Sequence, residues 1–247
     1  MIQALNIILL LLGALFVYAW FGYPAVLGLL AKRAERRNAP AAPSAVESCP
    51  RTKDSPLPHV YIILAAFNEE SVIAERIRNL QRVDYPSERL SVLVGADGCT
   101  DGTAEAARTA ANGDSRIQIL EFPNNRGKVA VLKDLVARSR RQPTSPDSAA
   151  PLLIFSDANT MFAEDAVLKL AAPFNDPQIG GVCGRLIFTH ASATEAVNGE
   201  AIVENPAEEG LYWHLETKLK TWESALDSCL GANGAIYAIR PELFWEA

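Results

Sequence analysis

The chain has 247 residues, 49% of them hydrophobic, and a formal net charge of −6. That length accommodates one α/β domain of ordinary size with an appendage, and the mildly acidic balance gives no electrostatic footing for nucleic acid as a partner. Cysteines at positions 49, 99, 183 and 229 form no CxxC pair and no cluster with the three histidines, which argues against structural zinc or a disulfide framework and for reduced thiols.

The first element is apolar. Residues 4–30, ALNIILLLLGALFVYAWFGYPAVLGLL, carry no charge, and at ~1.5 Å per residue they exceed the ~20 residues that cross a bilayer. Tyr18, Trp20 and Tyr23 stand toward one end, as interfacial aromatics do, and Lys32, Arg33, Arg36 and Arg37 follow directly. By the positive-inside rule, this flank and all that follows are expected on the cytoplasmic side. A cleaved signal peptide fits poorly, because no basic residue precedes the run and the run is too long. Residues 1–37 read as a single-pass anchor in the cell (inner) membrane, with Pro24 as a kink or an exit point. Residues 38–58, rich in Pro, Ala and Ser, read as a linker.

From residue 59 onward, short apolar runs alternate with helical patterns. Strands are expected at 59–66, 90–96, 116–122 and 151–156. Helices are expected at 69–81, with Val72, Ile73, Ile77 and Leu80 inward, at 102–111, and at 128–139, with Val129, Leu132 and Leu135 or Val136 inward. The segment 142–151 is a loop by composition, and 207–226 is an amphipathic helix in which Leu211, Leu215, Leu219, Trp222 and Leu226 recur. Strand–helix alternation with near-continuous apolar strands predicts an α/β fold: a Rossmann-like, mostly parallel sheet with helices on both faces. Ligands of such sheets bind beyond the carboxyl ends of the strands, so the polar residues there carry the chemistry.

After the first strand comes Phe67-Asn68-Glu69-Glu70. Asn68 suits a helix N-cap, and free N–H groups at a helix start favour phosphate or ribose hydroxyls. After the second comes Asp97-Gly98-Cys99-Thr100-Asp101-Gly102-Thr103. Asp101 reads as a turn former, whereas Asp97, nearer the strand, can aim a carboxylate into the crevice. Lys128 opens the helix after the third strand. A Walker phosphate loop is excluded there, since Phe122 occupies the first glycine position and Val129 the Ser/Thr position; the GxGxxG fingerprint is absent after the first strand. The fourth strand ends in Ser156-Asp157-Ala158-Asn159. Two oxygen ligands two residues apart suit Mg²⁺ or Mn²⁺, which also take diphosphate oxygens and water; an Asx turn is the plainer alternative.

Together, ILAAFNEE, VLVGADGCTDGT, NNRGKVAVLKD, FSDANTMF and LGANGAIYAIRPELF, in this order and spacing, resemble glycosyltransferase family 2, whose nucleotide-binding core is the GT-A fold. The resemblance covers residues 59–245 and implies a GT-A domain over 59–247. It implies that Ala65, Phe67 and Glu69 line the nucleotide pocket, that Asp97 contacts the base or ribose of a UDP-sugar, and that Lys128 and Asp157 belong to the nucleotide-sugar site. It further implies that Asp157 and Asn159 form the metal and diphosphate motif, with Asn159 replacing the usual second Asp, and that Gly231 and Asn233 lie on the acceptor side. Residues 180–188 are similar to the family's strand leading out of the metal site. The implied reaction is inverting transfer from a UDP-sugar, with Mg²⁺ or Mn²⁺, to a lipid-linked or polysaccharide acceptor. The family's general base lies in an acidic pair after the GANG segment; here Glu242 and Glu246 are the last acids and form no such pair. The expectation is therefore that the base lies beyond Ala247, that the C-terminal part of the domain is missing, and that this chain alone is inactive. A catalytically incomplete nucleotide-sugar-binding or assembly subunit is the alternative, and a nucleotidyltransferase a more distant one.

Overall fold

The computed structural model describes residues 2–37, 57–142, 149–186, 207–229, 231–232 and 234–244. The chain divides into two compact units, residues 1–48 with 187–231, and residues 49–186 with 232–247.

In the first unit, α1 (Ile2–Val17) runs through a π-helical turn at Tyr18–Gly22 into α2 (Tyr23–Arg37). The turn is closed by the Tyr23 N–H donating to the Tyr18 carbonyl. Pro24 supplies its cause: a ring without an N–H cannot continue the i→i−4 ladder, and the wider turn just before it absorbs the mismatch. Gln3–Ala34 is long and apolar enough to cross a membrane, by length and composition. The amphipathic pattern at 207–226 forms α7 (Ala207–Leu226), which packs on α2. Tyr23 Oη donates to Glu223 Oε1 at 2.8 Å. Gly28 lets the Trp222 ring lie so close that a side chain there would meet it at 3.0 Å.

The second unit is the α/β sheet. Its strands are β1 (Val60–Ala66), β2 (Leu90–Asp97), β3 (Ile117–Phe122), β4 (Leu152–Ser156), β5 (Gly181–Cys183) and β6 (Ile236–Ile239), in the spatial order β3-β2-β1-β4-β6-β5. The first four are parallel to one another; β6 runs antiparallel to β4 and to β5. Its helices are α3 (Glu70–Gln81), α4 (Thr103–Ala111), α5 (Lys128–Ser139) and α6 (Ala166–Ala171).

Side chains alternate across the sheet, and the two resulting cores place the helices. Ile62, Leu64, Val92 and Ile154 point to one side and meet Ile73 and Ile77 of α3, Ala107 of α4 and Val167 of α6. Tyr61, Ile63, Leu93, Leu153 and Phe155 point to the other and meet Val131, Leu135 and Val136 of α5. With both faces covered, β1 and β4 read as unbroken apolar runs, because their residues are buried on either face, with only Ala65 half-buried. Each large aliphatic side chain so buried contributes ~1.5–3 kcal/mol. The expected helices form, with one correction in α5. Val129 is exposed and Val131 is buried instead, since the helix presents the 131/135/136 stripe rather than the 129/132 stripe to the sheet.

The order of strands fixes where a ligand can go. The chain steps outward from β1 to β2 to β3 through α3 and α4, then α5 carries it back across the opposite face to β4, beside β1. The reversal of direction falls between β1 and β4. Their carboxyl ends therefore frame the crevice in which open α/β sheets hold ligands.

Candidate functional site

The loops after β1 and β2 are tied to each other. Asn68 sits at φ +55°, a left-handed conformation that asparagine tolerates better than most residues. From there its Oδ1 accepts the Thr100 N–H at 2.9 Å. The Glu69 N–H donates to Thr103 Oγ1 at 2.8 Å, and the Glu70 N–H donates to Asp101 Oδ2 at 3.2 Å. Glu70 returns the bond, its Oε2 accepting the Gly102 N–H at 3.1 Å. Two expectations change here. Asn68 is not the N-cap of α3; Glu69 holds that position, with no side-chain cap. Nor are the N–H groups of Glu69 and Glu70 free for a phosphate, because side chains of the β2–α4 loop already accept them. Asp101 does act as a turn former, its Oδ1 accepting the Thr103 N–H at 3.1 Å. Ala65 is half-buried near the end of β1, and Phe67 is exposed just beyond it.

Asp97 also differs in aim from the sequence-based expectation. It is only 3% exposed and is turned into the β3–α5 loop rather than the open crevice. Its Oδ1 accepts the Arg126 N–H at 3.0 Å and its Oδ2 the Gly127 N–H at 2.8 Å. The physical reason is the return of the chain over the end of β2. Gly127 at φ +86° leads into α5 without a side-chain cap, so its N–H needs an acceptor, and the carboxylate supplies one to each of two neighbours. Gly98, at φ +62°, lets the Asn124–Asn125 backbone close over it; a Cβ there would stand 2.2 Å from the Asn125 nitrogen.

The loop brought into place by Asp97 presents Lys128, whose Nζ forms an ion pair with Asp157 Oδ1 at the end of β4. Both side chains are partly open to solvent, at 53% and 35%. A pair this exposed is worth ~0–1 kcal/mol, so either partner can be drawn off by a better ligand. Asn159 is exposed two residues on, between buried Ala158 and Thr160. Across from the strand end, Tyr237 stacks on Phe155 at 4.9 Å. Burial pushes its phenol up, and the charge of Asp157 adds to the effect, so it stays protonated near neutrality.

Beneath the Asp157 turn lies a residue that the sequence reading passed over. Arg76 of α3 is wholly buried. Its Nη2 donates to Ser156 Oγ at 2.8 Å, its Nη1 to Asn79 Oδ1 at 2.7 Å, and its guanidinium lies 4.1 Å from the Phe162 ring centre. Burial pushes it down to about 9, with Asp157 pulling the other way, so it carries its charge at neutral pH. The available signal was its place in the stripe Ile73, Arg76, Ile77, Leu80, where a cation interrupts an inward face.

Among the described residues no group of three or more Asp, Glu, His or Cys is gathered as a metal cage. The donors at this strand end are one accessible carboxylate and one accessible amide. That set fits a hard divalent cation that completes its shell with diphosphate oxygens and water, and does not fit a cation held by protein alone. Gly231 is exposed in the first unit, with open space beside its Cα. Asn233 and Glu246 lie outside the described residues.

Comparison with known proteins gives consistent findings. The family model described as "Glycosyl transferase family 2" matches residues 61–238. An N-acetylglucosaminyltransferase of Rhizobium leguminosarum bv. trifolii is 32% identical over 143 residues, 57% of this chain and 73% of that protein. An N-acetylglucosaminyltransferase of Rhizobium meliloti (strain 1021) is 30% identical over 56% of this chain, and the match spans 31% of that protein. A beta-monoglucosyldiacylglycerol synthase of Nostoc sp. is 26% identical over 58% of this chain and 29% of its own length. The chain thus covers about a third of the length of most of these relatives. Among solved structures, the mannosyltransferase PcManGT from Pyrobaculum calidifontis, in complex with GDP-Man and Mn²⁺, superposes with a TM-score of 0.64. It is 23% identical, and the match covers 92% of this chain and 55% of that one.

Proposed function

The chain belongs to glycosyltransferase family 2, and from that membership we propose that it transfers a sugar from a UDP-sugar to a hydroxyl of a lipid-linked or polysaccharide acceptor, with inversion at the anomeric carbon. The observation that carries this reading is the Lys128–Asp157 pair at the point where the sheet reverses direction. It sets one cation and one accessible carboxylate, weakly engaged with each other, at the place where open α/β sheets bind ligands.

The roles follow from the positions. Ala65, Phe67 and Glu69 form one wall of the nucleotide pocket, with the exposed Phe67 ring offering an apolar face to the base. Asp97 holds the β3–α5 loop as the opposite wall, and so serves the nucleotide through the loop that carries Lys128. Lys128 turns from Asp157 to the diphosphate. Asp157 with Asn159 would hold Mg²⁺ or Mn²⁺, which when bound lowers the charge on the departing diphosphate. The Mn²⁺ and nucleotide sugar named for the archaeal mannosyltransferase support a divalent cation here. The relatives named as N-acetylglucosaminyl and glucosyl enzymes support a hexose-type donor, and the diacylglycerol product name supports a lipid acceptor. In the step itself, the acceptor oxygen bonds to the anomeric carbon as the carbon–diphosphate bond breaks on the opposite side. The proton of the acceptor must pass to a base, a role assigned to none of the described residues. By resemblance to the family, Gly231 and Asn233 are proposed as acceptor-side residues.

The test is binding first and turnover second. UDP and GDP, titrated into the full chain in detergent with Mn²⁺ or with EDTA, should show UDP bound more tightly and Mn²⁺ strengthening it. Release of free sugar from UDP-N-acetylglucosamine or UDP-glucose, followed with the same protein, reports whether the donor bond is opened. Equal affinity for UDP and GDP would remove the uridine assignment, and an absent Mn²⁺ effect would remove the metal.

For localisation, we propose that Gln3–Ala34 anchors the protein in the cell membrane with the sheet on the cytoplasmic side, since Lys32, Arg33, Arg36 and Arg37 follow the uncharged residues 4–30. A reporter that folds only in the cytoplasm should be active when fused after Ala247. Activity only of a reporter that requires an oxidising, extracytoplasmic compartment would reverse the orientation.

A further inference from the structure

We propose that Arg76 is a positioning residue for the loop 157–161: its buried guanidinium joins the entry of that loop to its exit, and so sets how well Asp157 holds a metal–diphosphate ligand. The inference rests on the reading of Asp157 given above. At the entry, Arg76 Nη2 donates to Ser156 Oγ at 2.8 Å, and that hydroxyl in turn donates to the Asp157 carbonyl at 3.3 Å. At the exit, Arg76 Nη1 donates to Asn79 Oδ1 at 2.7 Å. The same Asn79 oxygen accepts the Phe162 N–H at 2.8 Å, and Asn79 Nδ2 donates to the Phe162 carbonyl at 2.8 Å. The Phe162 ring covers the guanidinium face. One cation thus pins both ends of a segment whose interior shows Asp157 and Asn159 to solvent.

Stability gives no reason for an arginine here. The side chain is 0% exposed, and its Nε has no hydrogen-bond partner. Its neighbours on the inward stripe of α3 are Ile73, Ile77 and Leu80, and an apolar side chain of similar volume would fill the space without burying a charge. What the arginine adds is a rigid fork that reaches Ser156 at the end of β4 and, on its own helix, the Asn79 that holds Phe162. It also adds a positive charge behind Asp157, on the opposite side of the sheet from Lys128.

The test uses the full chain in detergent, with UDP titrated in the presence of Mn²⁺ and of EDTA. The quantity read is the ratio of the two affinities, together with the thermal midpoint of each protein. Arg76→Met should keep the EDTA affinity and a midpoint equal to or above that of the parent, while the ratio falls about tenfold, the scale for partners that orient a metal ligand. Arg76→Lys should recover part of the ratio, and Ser156→Ala should lower it by less than Arg76→Met does. Because Arg76→Met alters the core, Ser156→Ala decides alone if the first variant fails to fold. A ratio kept at the parent value in Ser156→Ala, or in folded Arg76→Met, overturns the positioning role, even where the midpoint drops. Asp157→Ala separates the two levels. If it too keeps the parent ratio, the metal reading fails; if it loses the ratio while the Arg76 and Ser156 variants keep it, only the positioning role fails.

Discussion

Asp157→Ala should lower UDP affinity with Mn²⁺ far more than with EDTA. A lost charge-assisted contact of this kind is worth ~1.5–3 kcal/mol, about ten- to a hundredfold in affinity. The metal-free affinity should change little, because the ion pair with Lys128 is exposed and contributes at most ~1 kcal/mol. Freed of its partner, Lys128 can even serve a diphosphate slightly better in EDTA, which widens the contrast. Asn159→Ala should cost less than Asp157→Ala, since a neutral amide oxygen is the poorer ligand for a hard cation. Asn159→Asp should tighten the metal-dependent binding by adding a second carboxylate. Titration of the parent and the three variants checks all of this. Equal Mn²⁺ dependence in all four would mean that the residues at the end of β4 serve only to turn the chain.

Asp97→Ala should be the most destabilising single change at the strand ends. It removes two hydrogen bonds to an ionised acceptor, each ~1.5–3 kcal/mol, and leaves the N–H groups of Arg126 and Gly127 without their partner. The total is about 3 kcal/mol or more, which for a chain of this size corresponds to a fall of roughly 6–12 °C in the thermal midpoint. UDP affinity should fall as well, with or without Mn²⁺, because the loop that carries Lys128 loses its anchor. Asp97→Asn should lie between the two, as its amide keeps one acceptor but faces a backbone N–H with a second donor. Thermal unfolding of both variants tests the idea; an unchanged midpoint in Asp97→Ala would show that the loop is held by something else.

The elements most legible in the sequence are those with both long runs and covered faces. β1, β2 and β4 stand out because each is a nearly unbroken apolar run, and α3 because Ile73, Ile77 and Leu80 recur at helical spacing. α6, with six residues, is too short to show a period, and β5, with three, too short to show alternation. Their placement comes from pairing with β6 and from packing, which no local pattern encodes. The same holds at the site. Asp157 and Lys128 could each be singled out, but their meeting depends on α5 carrying the chain back to β4. Asn68 misleads because an asparagine before a helix looks alike as an N-cap and as a left-handed corner. Asp97 misleads because its two donors lie 29 and 30 residues further on. Arg76 was hidden for the opposite reason. A charged residue in a helix is expected outside, and only its phase relative to Ile73 and Ile77 says otherwise.

Among the described residues, the order of the sheet leaves β3 as one border strand and the three-residue β5 as the other. A bare strand edge invites a second molecule to add to it, and proteins commonly blunt such edges with short strands and charged side chains. Both devices are present. β5 is too brief to template an added strand. On β3, Glu121 is ion-paired with Arg108 of α4, and Gln118 accepts from Arg138 of α5 at 3.3 Å, so polar groups flank the border from both faces of the sheet. The arrangement by which α5 returns the chain to the centre thus keeps the strand with the site inside and places the better-guarded strand at the rim. Removing the charge at Glu121 would leave IQILEF as an apolar border, and self-association through β3 is the failure that this layout holds off.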